Sequence, residues 1–275
     1  MRGFLESDRT LNVLLWATIE AMQARPEMLL RAPYLAAVEC GGEVVGACSL
    51  LPPNPLVVAP HTPAEALPLL ADDLLACGRA EQVTQMSGPV EVVEGFMALW
   101  RKRTGRGGAP VMRERLYRID AAPDVPAVTG QFRPAVEADM ELLLDWSLAF
   151  NAETWGEHLR VEREVLRGGV LARVQRRGGG IGLWVDGGEV VSLAGYGAGD
   201  PPAPARLAPV YTPPPLRGRG YGSAVTAALT RAVFDAGHAA CMLFTDLSNP
   251  TSNHIYTAIG YRPVADWMHA RFETA

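Results

Sequence analysis

The sequence predicts an α/β protein of the α+β type, built from two similar domains in which helices flank a mixed sheet. Three observations lead to this prediction. The run Gly41–Val45 recurs as Gly187–Val191 with the same letters, Gly-Gly-Glu-Val-Val. Each copy lies between two apolar runs, which is the pattern of a β-hairpin. A Pro- and Ala-rich segment without periodicity, residues 121–130, separates two halves of similar length and is typical of a linker.

The two halves also share the order of their elements. Each opens with an apolar helical stretch that ends in a Trp, at residues 11–16 and 140–146. Two features in the same order indicate a duplication. We therefore expect a first domain at 1–120, a linker at 121–130 and a second domain at 131–275.

Hydrophobic periodicity and turn residues predict the remaining elements. After the first hairpin come helix Ala64–Ala76, strand Gln82–Ser87, helix Val92–Trp100 and strand Val111–Ile119. The second half contains helices Ala138–Ala149 and Val161–Leu166, the hairpin, strand Ala208–Thr212, helix Ser223–Ala236, strand Ala240–Thr245, helix Pro250–Ile259 and a strand near Asp266–Phe272. Alternating strands and helices favour helices packed on a sheet. The basic, Gly-rich run Arg103–Gly108 is interpreted as a solvated loop.

Composition and charge exclude several classes of function. The 275 residues have a formal net charge of −5, so the chain lacks the positive field that non-specific nucleic-acid binding requires. There is no apolar run long enough for a membrane span, and the charged N-terminal residues do not fit a signal peptide. The cysteines have no metal-binding spacing, so we expect no metal site and interpret them as small buried residues in a reducing cytoplasm. They are Cys40, Cys48, Cys77 and Cys241.

The segment from Val210 to Ser223 has the residues of an anion site. A short apolar strand is followed by three prolines and a Gly-rich turn, Arg217–Gly222, that runs directly into a helix. Glycines let successive backbone N–H groups converge on phosphate oxygens, and the helix N-terminus adds free donors. Arg217 and Arg219 can add charge-assisted hydrogen bonds. The turn is neither a Walker A loop nor the dinucleotide fingerprint, which leaves a plain surface loop as the alternative.

Two motifs resemble signatures of the GCN5-related N-acetyltransferase superfamily. Arg217-Gly218-Arg219-Gly220-Tyr221-Gly222 is similar to its Arg/Gln-x-x-Gly-x-Gly/Ala signature. A second signature is matched, at its spacing, by Asn249, Tyr256, Gly260 and Tyr261. The resemblance covers roughly Phe132–Phe272, whereas the first half shares only the hairpin and the element order. It therefore implies a tandem member of the superfamily with a degenerate first domain that lacks the pyrophosphate signature.

The resemblance also implies an acetyl-CoA site between the strands Ala208–Thr212 and Ala240–Thr245. Backbone groups of the first strand are expected to bind the pantetheine arm, and those of the Gly-rich turn the pyrophosphate. For Ser252 and Asn253 two interpretations remain open. Either they contact the coenzyme, or they are the polar residues that commonly occur in the first turn of a helix. The residues assigned to the coenzyme are Val210, Tyr211, Thr212, Arg217, Gly218, Arg219, Gly220, Tyr221, Gly222, Ser223, Asn249, Ser252, Asn253 and Tyr256.

The function that the resemblance implies is direct transfer of an acetyl group to an amine. We interpret Tyr256 as the acid that protonates the departing thiolate, because an ordinary phenol stays protonated at neutral pH; a packing role is the alternative. The general base is not identifiable. Candidates are Glu153, Glu157, His158 and Asp246, although solvated or capping roles are the default for each. His254 is expected to be exposed, and Trp155 and Trp184 either line an acceptor site or pack in the core.

The acceptor is expected to be a small-molecule or peptide amine that the sequence does not identify. Two other functions remain open. One is a catalytically silent CoA-binding sensor or dimerisation module. Whether the chain forms a homodimer is also left open by the sequence. The other is transfer of a longer acyl group, or acylation of a hydroxyl.

Overall fold

The computed structural model describes residues 2–24, 32–52, 54–156 and 161–273. By its contacts the chain forms two compact units. The first unit consists of Met1–Leu116, Phe244–Asn249 and Pro263–Ala275, and the second of Tyr117–Leu243 and Pro250–Arg262. Two short C-terminal pieces therefore cluster with the first half of the chain, although the sequence analysis assigned them to the second domain. The division at residues 121–130 stays a prediction.

The helices and strands are numbered here in chain order. The first half of the chain contains α1 (Arg2–Glu6), α2 (Val13–Ala24), β1 (Tyr34–Cys40), β2 (Glu43–Leu50), β3 (Leu56–Val58), α3 (Leu67–Ala76), β4 (Gln85–Pro89), α4 (Val90–Thr104) and β5 (Gly108–Ile119). The second half contains β6 (Gln131–Pro134), α5 (Met140–Trp155), α6 (Arg163–Val174), β7 (Gly179–Asp186), β8 (Glu189–Gly197), β9 (Ala205–Tyr211), α7 (Tyr221–Asp235), β10 (Cys241–Asp246), α8 (Pro250–Ile259) and β11 (Arg262–Phe272). The predicted α/β class is confirmed.

The first unit contains a mixed sheet with strand order β1-β2-β3-β4-β11. Strands β3 and β4 are parallel, and the other neighbouring pairs are antiparallel. The hairpin turn between β1 and β2 has φ values of 60° at Gly41 and 86° at Gly42. Both residues are therefore in the left-handed region that this tight hairpin turn requires, which confirms the predicted hairpin. Helices α3 and α4 bury their apolar faces on this sheet.

Strand β11 completes the core of the first unit. It pairs antiparallel with β4, from Trp267 opposite Pro89 to Arg271 opposite Gln85. Met268, Ala270 and Phe272 lie in the same apolar cluster as Phe96 and Trp100 of α4. The last strand of the chain is thus an integral part of the first unit.

We expect Ser87→Ala to destabilise this unit by about 1–3 kcal/mol, because it leaves a buried donor without an acceptor. The indole Nε1 of Trp267 donates to Ser87 Oγ at 2.8 Å, and both side chains are 0% exposed. Urea unfolding measures the change. Ser248→Ala, at an exposed position of the same unit, is the matched control. Equal stability of the two variants would contradict the role given to this hydrogen bond.

Two predictions about residues of the first unit need correction, one for Arg106 and one for the cysteines. Arg106 is not solvated, because its guanidinium is buried and donates to the backbone carbonyls of Glu273, Ala80 and Val83 at 2.6, 2.8 and 3.0 Å. The cysteines are not all buried, since Cys40 and Cys77 are exposed.

The second unit contains the strands in the order β10-β9-β8-β7-β6. The neighbouring pairs from β6 to β9 are antiparallel, and β9 and β10 are parallel. Helices α7 and α8 pack on one face of this sheet, and α5 and α6 pack on the other. The turn of the β7–β8 hairpin repeats the conformation of the first one, with φ values of 59° at Gly187 and 88° at Gly188.

Candidate active site

The parallel strands β9 and β10 separate soon after they begin. Their register contains the pairs Cys241–Ala205 and Met242–Arg206, whereas β9 continues to Tyr211. On its other side β9 stays paired with β8, as far as Tyr211 opposite Leu193. The backbone of β9 from Leu207 onward is therefore unpaired on the side of β10, which leaves an open strand edge in the second unit.

The Gly-rich turn lies where β9 leads into α7. Gly218 and Gly220 have φ values of +76° and +82°, and Gly220 is the N-cap of α7. Among the described residues, the backbone N–H groups of Gly218–Ser223 have no hydrogen-bond acceptor in the protein. The next N–H along the chain, that of Ala224, donates to Gly220 O at 3.0 Å. Six consecutive donors are thus available at the N-terminus of a 15-residue helix.

The two arginines of the turn differ in their contacts. Arg217 donates from Nε to Thr212 O at 2.8 Å and from Nη2 to Glu153 Oε2 at 2.5 Å. The Tyr211 hydroxyl donates to the other Glu153 oxygen at 3.2 Å, so Glu153 joins the end of α5 to the end of β9. Arg219 makes a long contact of 3.5 Å to Pro215 O. Arg217 therefore forms an ion pair with Glu153, whereas Arg219 forms no ion pair within the described part of the chain.

Side chains on both sides of the turn fix its ends. The Thr212 hydroxyl lies 2.8 Å from Ser192 Oγ, which also donates to Tyr211 O at 3.1 Å. The buried Tyr221 hydroxyl donates to Asp186 Oδ2 at 2.5 Å. This bond, together with that from Thr129, holds the pKa of the Asp186 carboxyl below its usual range. The backbone N–H of Tyr221 is therefore one of the donors of the turn, whereas its side chain packs in the core.

Tyr256 lies on α8 in the same apolar cluster as α7 and β10. Its side chain is 8% exposed, and burial raises its pKa to about 12. At neutral pH this phenol is therefore protonated, and it lies in a largely apolar setting.

The other predicted coenzyme residues of this region lie around the start of α8. Asn253 Oδ1 accepts a hydrogen bond from the Tyr117 hydroxyl at 3.2 Å, and Ser252 is partly buried. Asn249 is exposed immediately before α8, and its N–H donates to Asp246 O at 3.0 Å. By its contacts Asn249 clusters with the first unit, and its assignment to the coenzyme stays a prediction.

The remaining candidates are two polar residues near α8, two tryptophans, and two residues before α6. His254 is exposed, as expected, and Asp246 accepts from the Ser248 N–H at 2.8 Å, which is a local turn role. Trp184 is 5% exposed and packs in the core of the second unit, so it does not line an open acceptor site. Trp155 is partly buried. Glu157 and His158 lie outside the described residues.

Sequence reasoning missed Arg173 of α6. Its Nη1 donates to Ala208 O at 3.0 Å, within a bulged stretch of β9 where the register with β8 shifts. Burial, with a smaller contribution from Arg206, lowers its pKa to about 10. Nothing in the local sequence signals this, because an arginine near the end of a helix is ordinarily solvated.

In the described residues between β3 and α3, the first unit has no equivalent of the Gly-rich turn. Residues 59–66, between β3 and α3, contain Pro60 and Pro63, which lack N–H groups. Pro68 lies in the first turn of α3, and Glu65 brings a negative charge to the same place. This end of α3 is therefore unsuited to an anion.

The described residues lack two further features. They contain no group of three or more His, Cys, Asp or Glu side chains arranged to hold a metal ion. None of their helices combines the length and the apolar character needed to cross a membrane.

Comparisons with known proteins show what the chain is similar to. Residues 193–270, which run from β8 into β11, match the family model "FR47-like protein". A GCN5-related N-acetyltransferase from Kribbella flavida is similar at 20% identity with a TM-score of 0.60, covering 92% of this chain and 94% of that one. Another, from Sphaerobacter thermophilus, has 16% identity and a TM-score of 0.61 over 92% and 84% of the two chains.

A tandem GNAT protein from the clavulanic acid biosynthesis pathway is also similar, at 17% identity with a TM-score of 0.59 over 90% of this chain and 86% of that one. No curated protein matches the sequence significantly. At these identities the likeness concerns the fold, and it confirms the fold predicted from the two motifs.

Proposed function

The chain has the fold of the GCN5-related N-acetyltransferases, and we propose that it is an acetyl-CoA-dependent N-acetyltransferase that moves the acetyl group directly to an amine. One observation carries this proposal. Six consecutive backbone N–H groups, Gly218–Ser223, have no acceptor among the described residues and lie at the N-terminus of α7. Donors in this arrangement fit the pyrophosphate of a coenzyme.

The open edge of β9 supports the same ligand. Pantetheine is an extended chain with two amide groups, and an unpaired strand edge offers N–H and C=O groups at a regular spacing. In our proposal the arm lies along β9 from the turn back to Val210, and the coenzyme takes the place of the missing strand pairing. Arg219 adds positive charge at the turn, whereas Arg217 holds Thr212 and Glu153 in place.

In the proposed reaction every bond that forms or breaks and every proton that moves is accounted for. The neutral amine nitrogen attacks the thioester carbonyl carbon, after the ammonium has lost a proton to water or a base. A backbone N–H of β9 near Val210 stabilises the negative oxygen that develops. The C–S bond breaks, and the Tyr256 hydroxyl donates a proton to the sulfur. The nitrogen, positively charged after the attack, gives up its second proton to water, and the Tyr256 phenolate regains a proton from water, which leaves the amide, the free thiol and the restored acid. No covalent intermediate on the protein is involved.

Calorimetric titration with acetyl-CoA, followed by an acetylation assay on a panel of amines, tests the proposal. We expect one site per chain, because the first unit lacks the donors, and acetylation of at least one amine. Absence of binding would overturn the coenzyme assignment, and two sites would overturn the role given to the first unit. Binding without turnover on any amine would favour the silent CoA-binding sensor.

A further inference from the structure

Glu153 connects the end of α5 with the end of β9 and with the Gly-rich turn. Its Oε2 accepts a hydrogen bond from Arg217 Nη2 at 2.5 Å, and its Oε1 accepts one from the Tyr211 hydroxyl at 3.2 Å. Arg217 Nε also donates to Thr212 O at 2.8 Å. One carboxylate is therefore bound directly to the last residue of β9 and, through a guanidinium, to the residue that follows it.

The surroundings of Tyr211 fix the position of this carboxylate. The Tyr211 side chain is 7% exposed and lies in the apolar cluster to which α5 contributes. Its ring makes an edge contact with Trp146 of α5, with ring centroids 6.0 Å apart. Burial and, to a smaller degree, the neighbouring Glu153 carboxylate raise the pKa of Tyr211, so its hydroxyl remains a donor at neutral pH. A buried donor thus holds one oxygen of Glu153, and a cation holds the other.

The negative charge of Glu153 does not suit direct contact with a coenzyme. Its partner Arg217 is the first residue of the turn whose backbone donors suit an anion, and a carboxylate beside an anion site repels the ligand. Both carboxylate oxygens are also engaged, which does not suit a group that has to take a proton from the acceptor amine. The contacts of Glu153 indicate instead a role that it exerts through Arg217.

We propose that Glu153 is a positioning residue for acetyl-CoA and that it acts through Arg217. The inference rests on the proposed acetyltransferase function. With Glu153 present, the guanidinium is held between the carboxylate and Thr212 O, so the start of the turn is ordered before the coenzyme arrives. A site that is ordered beforehand loses less conformational entropy when the ligand binds. Without Glu153 this loss accompanies binding, and the affinity for acetyl-CoA falls.

The sign of the change separates positioning from charge. Removing a negative charge near the turn strengthens acetyl-CoA binding if repulsion alone matters, whereas losing a positioning contact weakens it. The Glu153–Arg217 pair is about half exposed, so its contribution is modest. In isothermal calorimetry we expect Glu153→Gln, which keeps the size of the side chain, to bind acetyl-CoA roughly 3- to 10-fold more weakly than the wild type.

A matched control and a double-mutant cycle test the route through Arg217. Glu141→Gln removes another exposed carboxylate of α5, which pairs with Arg163 and Arg167, and we expect it to leave the affinity unchanged. In the Arg217→Gln background, Glu153→Gln should change the affinity by less than about twofold, because the two side chains act as a unit. The proposal is overturned if Glu153→Gln binds as tightly as the wild type or tighter, or if its full effect persists without Arg217.

Kinetics on an amine identified by the panel separate positioning from acid–base chemistry. For Glu153→Gln we expect a raised KM for acetyl-CoA, with kcat at saturation within about threefold of the wild type. A general base at this position would instead lower kcat about 100-fold or more with little change in KM, and that result would overturn the proposal. If the wild type does not bind acetyl-CoA, the proposed function itself fails. If the wild type binds it and Glu153→Gln binds it equally, only this inference fails.

Discussion

Replacing Gly220 by valine is expected to weaken acetyl-CoA binding at least about 100-fold. Gly220 has φ +82° at the N-cap of α7, a conformation that costs a branched residue roughly 1–2 kcal/mol. The valine would therefore shift the turn and misalign the N–H groups that follow it. It would also occupy the surface at which a phosphate must approach the backbone closely. Isothermal calorimetry measures the affinity.

Two further variants separate loss of the site from loss of the fold. Gly188 has φ +88° with open space around it, so Gly188→Val imposes similar backbone strain in the β7–β8 hairpin. We expect it to lower the melting temperature while keeping normal affinity. A Cβ on Gly220 would also lie 2.9 Å from Val128 Cγ2; Gly220→Ala combined with Val128→Ala relieves that contact. Unchanged affinity in Gly220→Val would contradict the pyrophosphate site.

Elements with local start and stop signals were predicted well from the sequence. Helix α8 has the predicted bounds, Pro250–Ile259, because Asn249 and Pro250 mark its beginning and Gly260 its end. Both hairpins follow from their Gly-Gly turns. Strand β3, Leu56–Val58, was missed, since three apolar residues among prolines give no periodicity. Strand β6, Gln131–Pro134, was missed because the linker composition continues into it.

Long-range pairing could not be predicted. The residues of β11 form an ordinary apolar strand in the sequence, and nothing local shows that Trp267 pairs with Pro89 in the other half of the chain. The candidate site shows the same limit. The turn Arg217–Gly222 was found because its glycines have a conformational role. The contacts of Arg173 with Ala208 and of Glu153 with Arg217 join distant segments, so only the folded chain reveals them.

We expect Tyr256→Phe to lower kcat about 10²- to 10⁴-fold while acetyl-CoA affinity stays near normal, because the change removes the proposed acid and keeps the ring. Tyr261→Phe is the matched control. Tyr261 packs against Tyr256 with ring centroids 6.1 Å apart, but its hydroxyl lies 2.7 Å from Thr230 Oγ1 in the core. Loss of that hydroxyl should cost about 1 kcal/mol of stability and leave kcat nearly unchanged.

The pH profile gives an independent check on the same residue. An acid works while it is protonated, so activity that depends on Tyr256 is present below its pKa and lost above it. Burial raises that pKa to about 12, and we therefore expect no alkaline loss of kcat from Tyr256 up to about pH 10. Full turnover by Tyr256→Phe would make Tyr256 a packing residue. An alkaline limb near pH 8–9 that disappears in this variant would instead keep the acid role and contradict its raised pKa.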